Sequence, residues 1–424
     1  MRTPLSAELF KSESELPSKK PLTAKKTLRN RQPLWASSPR ISVDTDAGNG
    51  EGNVDVIIVG AGISGALTAH ALARMEMKIM VVDRRRPVRG SSLASTAMIQ
   101  HEIDVPLHKL ASSVGIEKAQ RIWQRSAKAV DELATLLEDA RIRCDFERRR
   151  TLYLAGDTYG RRALNSEVDA RRNAGIESTL ITGRDLRARY GIARTAAIDS
   201  GISASSNPGQ MTAGLLAHVR NAGVEIVADT EIVDFRSIGE HVVVSIDNGK
   251  LLTARHLVFC TGYEFLRSME NKSHSVISTW AIASRPNVKR PEWLDRYLVW
   301  EGSEPYLYFR STPDGRVIIG GEDEDTPHAF EDDHKATRKA KRLAEKFANL
   351  TGIEIGKPEF IWSAAFGTTP NGLPMIGAVP GHRNVYAAMG YGGNGITYSQ
   401  IAASIIAGEI CGHRDPDAGL FPFQ

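Results

Sequence analysis

The 424-residue chain has little cysteine: Cys144, Cys260 and Cys411 are its three, and they lie far apart. They make no disulfide framework and carry no metal-ligand spacing, which fits a reducing compartment. Histidines such as His70, His241 and His256 show no ligand spacing either, so no metal site is expected. No run approaches the roughly 20 consecutive apolar residues of a membrane span, so no transmembrane segment is expected. The first residues contain no apolar h-region, and Glu8, Glu13 and Glu15 run against a mitochondrial presequence. A cytoplasmic location follows as the expectation. No internal repeat is visible, and no dedicated nucleophile stands out.

Positive charge is also scarcer in the body than the totals suggest. The chain carries a formal net charge of +4 and a sequence pI of about 8.8. Its first 40 residues hold nine Lys/Arg and three Asp/Glu, leaving the other 384 residues with a net charge of −2. The basic balance therefore belongs to the tail, and a nucleic-acid partner is not expected. Residues 1–52 lack periodicity and are rich in Ser, Lys and Pro, so a disordered tail, dispensable to the body, is predicted. Trp35 in that stretch either docks the end of the tail or belongs to a mobile one. With 42% hydrophobic residues, the remainder can bury a large core in two or three domains.

What is present is a short apolar run that meets a glycine cluster: Val54-Asp55-Val56-Ile57-Ile58-Val59-Gly60-Ala61-Gly62-Ile63-Ser64-Gly65. A second apolar run, Ile79-Met80-Val81-Val82, ends in Asp83, eighteen residues after Gly65. Strand, tight turn, helix over 63–75, strand and acid fit a dinucleotide-binding βαβ unit. Gly60 allows the turn, Gly62 lets the backbone approach a pyrophosphate, and Gly65 lets helix and strand pack. Ile63 and Ser64 open the helix at whose N-terminus the pyrophosphate lies, and Asp83 accepts from the adenosine ribose.

Beyond this unit, 84–96 reads as a basic, small-residue loop and 105–140 as helices with an apolar stripe. A strand is expected around Leu152-Tyr153-Leu154 and charged helix over 158–190. Asn207-Pro208-Gly209 opens a helix through 221. Strands follow at 224–227 and 231–235, then a hairpin of 241–246 and 251–252 about Asp247-Asn248-Gly249. The run 257–262 ends in Thr261-Gly262. Residues 274–321 are β-rich, 332–350 helical, and Gly390-Tyr391-Gly392-Gly393-Asn394-Gly395 opens a last helix through about 410. Arg148-Arg149-Arg150 and Glu322-Asp323-Glu324-Asp325 read as solvated charge runs.

The order of these motifs resembles the FAD-dependent D-amino acid oxidase superfamily, on the branch with glycine oxidase, sarcosine oxidase and D-amino acid dehydrogenase. The resemblance spans about residues 54–415. It implies an α/β fold: a Rossmann-like FAD-binding domain with a parallel sheet, interrupted by a substrate domain with a large mixed or antiparallel β-sheet. The implied boundaries are 53–143, 200–272 and 356–424 for the first and 144–199 and 273–355 for the second. Ser91 and Ser92 then lie near the phosphates, with Arg84 a candidate contact there. Thr96, Ala97 and Met98 pass the flavin, Ile232 meets adenine, and Thr261 and Gly262 join the cofactor site. Gly392, Gly393, Asn394, Gly395 and Ile396 face the N1/O2 edge of the isoalloxazine, where N–H groups and a helix dipole stabilise the negative charge of reduction.

Two departures bear on chemistry. Monomeric sarcosine oxidases attach FAD through a cysteine near the equivalent of 362–370; Trp362-Ser363-Ala364-Ala365-Phe366 has none, so FAD is expected to be non-covalent. Glycine oxidase-like members place arginines near the equivalents of Gly367 and Gly393 to hold a substrate carboxylate, and both are glycine here. The implied reaction is hydride removal from the C–N bond of a small amine or amino acid, with dioxygen or a quinone or protein as electron acceptor. His101 is a candidate proton acceptor and Glu102 a partner for a substrate ammonium. Arg310 is a candidate carboxylate anchor, with Tyr308 on the same strand face. For each, a purely structural role is the competing reading. The alternative functions are a flavin-dependent enzyme acting on RNA or a macromolecular amine, and a non-catalytic dinucleotide-binding protein.

Overall fold

In the computed structural model, which describes residues 22–48, 54–269 and 274–423, the run 54–59 is the centre of a parallel sheet. Val56, Ile57 and Ile58 are fully buried, as a strand covered on both faces requires. The order is Met375–Ala378, Val385–Met389, Leu251–Phe259, Val54–Val59, Ile79–Val82, Glu225–Val227. All neighbours are parallel except the edge strand Met375–Ala378. The helices Ile63–Ala73 and Gly395–Ile410 lie side by side, with the Ser64 and Ser399 hydroxyls 2.7 Å apart. The hairpin strands Ile232–Ile238 and His241–Ile246 extend the sheet through the first half of Leu251–Phe259. That strand is continuous where the sequence suggested two pieces, because polar Arg255 and His256 interrupt its apolar pattern without interrupting its pairing.

The second sheet has ten strands. Its order is Arg29–Asn30, Phe360–Thr368, Ser275–Ala283, Val317–Glu324, Leu307–Ser311, Tyr297–Glu301, Glu147–Leu154, Ala196–Ser205, Met98–Gln100, with Ser178–Thr182 beside Ala196–Ser205. Only the pairing of Tyr297–Glu301 with Glu147–Leu154 is parallel, so the sheet is mixed. Helix Asp333–Thr351 covers one face. Asp332 caps its start by accepting from the Lys335 N–H at 2.9 Å, and Gly352 ends it in a left-handed conformation. Its Ala336, Ala340, Leu343 and Phe347 are buried, and the Phe347 ring meets Phe309 edge-on at 4.9 Å.

The structure corrects several expectations. The stretch 158–190 contains the strand Ser178–Thr182 between two helices, its Ser/Thr residues drawn into pairing with Ala196–Ser205. Met98–Gln100, Ala196–Ser205 and Phe360–Thr368 all pair in the large sheet, so it crosses the implied boundaries at 143/144, 199/200 and 355/356. The charge runs are not simply solvated. Arg149 is buried, and Glu322 is fully buried among Lys339, Arg342 and Lys346 on the helix side.

The tail needs the largest correction. Residues 1–21 and 49–53 lie outside the described residues, but 22–48 form an ordered arm across both sheets. Arg29–Asn30 pairs with the edge of Phe360–Thr368, Arg31 pairs with Asp333 at 2.8 Å, and Asp46 binds Arg220 and the Ile226 N–H, each at 2.9 Å. Trp35 is 6% exposed and donates its indole N–H to the Ser95 carbonyl at 2.7 Å. The arm has no core of its own. It inserts single apolar anchors into a surface supplied by the body, a pattern that composition does not register. Among the described residues, no helix is long and apolar enough to cross a membrane.

Candidate active site

One long cavity runs between the two sheets, lined by the glycine turn, the arm, the loop 90–96 and the start of the last helix. At one end the turn explains its own glycines. Gly60 sits at φ +115°, where a Cβ would stand 2.4 Å from the Cys260 carbonyl oxygen. A Cβ on Gly65 would stand 1.8 Å from the Gly60 carbonyl oxygen, so Gly65 serves helix packing and does not line the cavity. A Cβ on Gly62 would meet only Ser92 Oγ, at 3.2 Å. Gly62, Ile63 and Ser64 line the cavity at the N-terminus of Ile63–Ala73, whose first turn has no acidic residue and whose cap position makes no side-chain bond. Ile63 N–H reaches Ser92 Oγ at 3.0 Å. An open cradle beside a helix N-terminus fits a pyrophosphate.

Asp83 ends the second strand at the same place. Its carboxylate accepts from the Ala61 and Arg85 N–H groups at 2.7 and 2.8 Å. Burial raises its pKa against those two bonds. Arg84 binds Glu231 at 3.0 Å and touches Thr23 of the arm; Arg85 makes a two-pronged pair with Glu264, both contacts at 2.7 Å. Both arginines line the cavity, whereas Arg86 is 80% exposed. Ser91, Ser92, Thr96, Met98, Ile232, Thr261 and Gly262 line it as expected positions; Ala97, 1% exposed, lies behind the wall. Ala364, Ala365 and Phe366 line it too, and none is a cysteine.

At the other end, Gly393, Asn394, Gly395 and Ile396 line the cavity while Gly392 does not. The segment 100–104 is clamped to this helix start. Asn394 Nδ2 donates to the Glu102 carbonyl, Thr397 Oγ1 donates to the Gln100 carbonyl at 2.9 Å, and Gly393 N–H donates to Asp104 Oδ2 at 2.9 Å. Asp104 lines the cavity and is exposed to it, and the protein around its carboxyl raises its pKa by desolvation.

The four catalytic candidates separate here. His101 is fully buried and outside the cavity lining; its Nδ1 lies 2.6 Å from the Ile202 carbonyl oxygen and its ring meets Trp123 edge-on. Burial lowers its pKa. Its assignment as proton acceptor for substrate is therefore corrected: it holds the segment from behind. Arg310 is corrected likewise. It is 2% exposed, does not line the cavity, and donates to the carbonyls of Thr96, Ser311 and Ser206 at 2.7, 3.1 and 2.9 Å, with Trp35 over its guanidinium. Burial brings its pKa down to about 9. Its fork is committed to backbone, so it cannot hold a carboxylate. Glu102 does line the cavity, but one oxygen is bound by the fully buried Arg171 at 2.5 Å and the other faces Trp300 Nε1 and Gln100 Nε2, each at 3.3 Å. Arg171 also pairs with Glu167 at 2.8 Å. Burial alone would raise the Glu102 pKa; the nearby Arg171 charge, with His101 and the hydrogen bonds to the carboxylate, together hold it low. Tyr308 lines the cavity beside Tyr306, ring centres 5.7 Å apart, and Tyr306 donates to Asp323 at 2.9 Å.

Sequence reasoning missed Asp104, Tyr263, Trp300 and Tyr306 as lining residues, and Asp323 behind them. The alternation Tyr306-Leu307-Tyr308 was a signal for Tyr306, and the position of Tyr263 after Thr261-Gly262 was one for Tyr263. Nothing local marks Asp104 or Trp300. Trp280 faces Lys339 on the covering helix, and Tyr391 lines the cavity.

Comparison with known proteins gives the same picture. The family model described as FAD dependent oxidoreductase matches residues 55–408. The Rieske 2Fe-2S iron-sulfur protein YhfW of Bacillus subtilis is 22% identical over 394 residues, covering 91% of this chain and 72% of that one. The gamma-glutamylputrescine oxidoreductase of Escherichia coli is 21% identical over 386 residues, covering 88% and 87%. The crystal structure of glycine oxidase from Geobacillus kaustophilus superposes with a TM-score of 0.72 at 19% identity, covering 88% of this chain and 98% of that one.

Proposed function

This chain belongs to the family of FAD-dependent oxidoreductases, and from that premise we propose that it oxidises the C–N bond of a small amine or amino acid, passing the electrons to dioxygen or to a quinone or protein. FAD, when bound, would supply the electron sink for a hydride removed from the carbon that bears the nitrogen. The chain supplies position and field. Gly62, Ile63 and Ser64 offer the pyrophosphate a cradle, and Asp83 offers the ribose an acceptor. The N-terminus of Gly395–Ile410 offers N–H groups and a dipole to the negative charge that reduction creates. Glu102, fixed by Arg171 and Trp300, and Tyr308 orient what lies beside that loop. The enclosing rings of Tyr263, Trp300 and Tyr306 keep water away from the reacting carbon.

The observation that carries the reading is the continuity of one cavity from the glycine cradle to the helix start at 393–396. The test is anaerobic mixing of the purified yellow protein with a panel of amines and D- and L-amino acids, following loss of the oxidised flavin spectrum. Bleaching by members of the panel, with FAD released intact on acid precipitation, is expected. Flavin that no member reduces, or flavin that pellets with the protein, overturns the reading or its non-covalent cofactor respectively.

A further inference from the structure

The nucleotide end of the cavity carries charge of both signs, with Asp83, Glu231 and Glu264 lining it beside two arginines. Arg84 and Arg85 line the nucleotide end, each facing a glutamate. Around the loop 393–396 the described lining carries Glu102 and Asp104 with Tyr263, Trp300, Tyr306 and Tyr308, and contains no lysine or arginine. Arg171, behind Glu102, is shared with Glu167, which also meets His108 Nδ1 at 2.8 Å. Among the described residues Asp104 has one hydrogen bond, from the Gly393 N–H. Asp323, behind Tyr306, adds a third carboxyl that interacts with Asp104.

An anionic headgroup finds no counter-charge here. Arg310 is committed to carbonyls. A side chain at Gly393 would start with its Cβ 2.7 Å from Asp104 Oδ1, and one at Gly367 would start 2.7 Å from the Tyr263 ring. A substrate carboxylate would lie against Asp104 and Glu102, where like charges repel. An ammonium meets the reverse: carboxylate oxygens to bind and several aromatic rings whose faces attract cations.

We propose that the substrate is a cationic alkylamine that bears no carboxylate on the carbon being oxidised, with Asp104 as its charge-reading residue and the rings of Tyr263, Tyr306 and Tyr308 as the walls of the cation site. This rests on the oxidation reading above and narrows it. A diamine keeps a distal ammonium for the site when its reacting nitrogen is the neutral amine that hydride removal requires. Asp104 touches substrate in this scheme; Glu102 positions the segment that carries it.

The test compares matched pairs on the holoenzyme: 1,4-diaminobutane against ornithine, and 1,5-diaminopentane against lysine, each pair differing by one α-carboxylate. Anaerobic flavin bleaching gives apparent affinity. Calorimetric binding of tetramethylammonium, which has no amine lone pair, gives a readout independent of turnover. The diamines are expected to bind at least about 10-fold more tightly than their carboxylated counterparts. Asp104→Asn is expected to weaken both diamines and tetramethylammonium by about 10- to 150-fold, the range of one charge-assisted contact, with the flavin spectrum kept. Tyr308→Leu, which removes a ring without touching a charge, is expected to weaken tetramethylammonium as well. Ornithine and lysine reducing the flavin as well as the diamines, or tetramethylammonium affinity unmoved by Asp104→Asn, overturns the proposal while the oxidation reading stands. Flavin reduced by neither class, with tetramethylammonium still bound in an Asp104-dependent way, overturns the oxidation reading and keeps the cation site.

Discussion

The nucleotide end of the cavity and its opposite end are built in different ways. The first has one stretch of chain at its centre: the turn at 60–65, the acid at 83 with the arginines after it, and the hydroxyls at 91 and 92, closed over by 230–232, 261–264 and the arm. The second gathers Glu102, Asp104, Tyr263, Trp300, Tyr306 and Tyr308 from separate segments of both sheets and their connections. A tight turn, a close helix and an approachable phosphate are local geometric demands, and a few adjacent residues satisfy them. A cation site has no such local demand. It is an outcome of which strands become neighbours.

The largest expected effect sharpens the local half of this comparison by separating two glycines of one motif. Gly62 has an extended φ of −89°, and a Cβ there meets only the movable Ser92 hydroxyl. Gly62→Val is therefore expected to fold and to lose FAD altogether, because the new side chain fills the cradle. At Gly65 a Cβ would collide with backbone at 1.8 Å, so Gly65→Val is expected not to yield folded protein. Visible absorbance and far-ultraviolet dichroism of both variants check this. Stoichiometric flavin in folded Gly62→Val, or a folded Gly65→Val, breaks the division of labour.

Legibility followed the same line. Nearly every expected nucleotide-end position lines the cavity; the glycine turn and Asp83 were read from their immediate neighbours, and Ser91, Ser92, Thr96, Met98, Ile232, Thr261 and Gly262 from the resemblance in motif order. Of the four substrate-end candidates, Glu102 and Tyr308 line it, while His101 and Arg310 are buried behind it. Alternation along Tyr306-Leu307-Tyr308-Phe309-Arg310 placed Tyr308 and Arg310 on one face correctly. It did not say that Trp35 and the Thr96 carbonyl would already occupy the guanidinium. The arm was illegible for a related reason: its anchors are single residues whose partners lie at positions 95, 226, 333 and 364.

The arm gives the next effect in size, and it tests whether the nucleotide end is as local as its motif. Leu22, Thr23 and Leu28 line the cavity, and the Lys26 N–H donates to Glu264 at 2.8 Å, beside the Arg85 pair. Deleting residues 1–40 is expected to accelerate FAD release at least about 10-fold. Trp35→Ala alone is expected to cost about 3–5 kcal/mol of stability, as for other buried large aromatics. Dilution-driven flavin fluorescence recovery and chemical denaturation measure these. Unchanged release from the truncated protein would mean that the motif suffices by itself.

The smallest effect is the most discriminating, because Glu264 and Asp323, one near each end, should titrate with opposite signs. Glu264 sits low: burial alone would raise its carboxyl, but the Arg85 hydrogen bonds and neighbouring groups outweigh it. Its ionised form is favoured by folding, so its contribution is present above the unfolded carboxyl pKa and is lost as pH falls through the folded value. Asp323 is the reverse. Burial, with the Asp104 charge nearby, raises it from 3.8 to about 6. Its protonated form is favoured by folding, so that stability is complete below the unfolded value of 3.8 and is lost as pH rises through about 6. Asparagine keeps an acceptor for the Tyr306 hydroxyl and carries no charge. Asp323→Asn is therefore expected to match the parent near pH 4 and to exceed it by about 1–3 kcal/mol above pH 6, the scale of a two-unit shift reduced by partial solvation. Glu264→Gln is expected to lose stability at neutral pH, with the loss shrinking as the medium is acidified. Denaturant titrations of both variants across that range read the two slopes. Parallel pH profiles would show that these two carboxyls do not differ in the protonation state that folding favours.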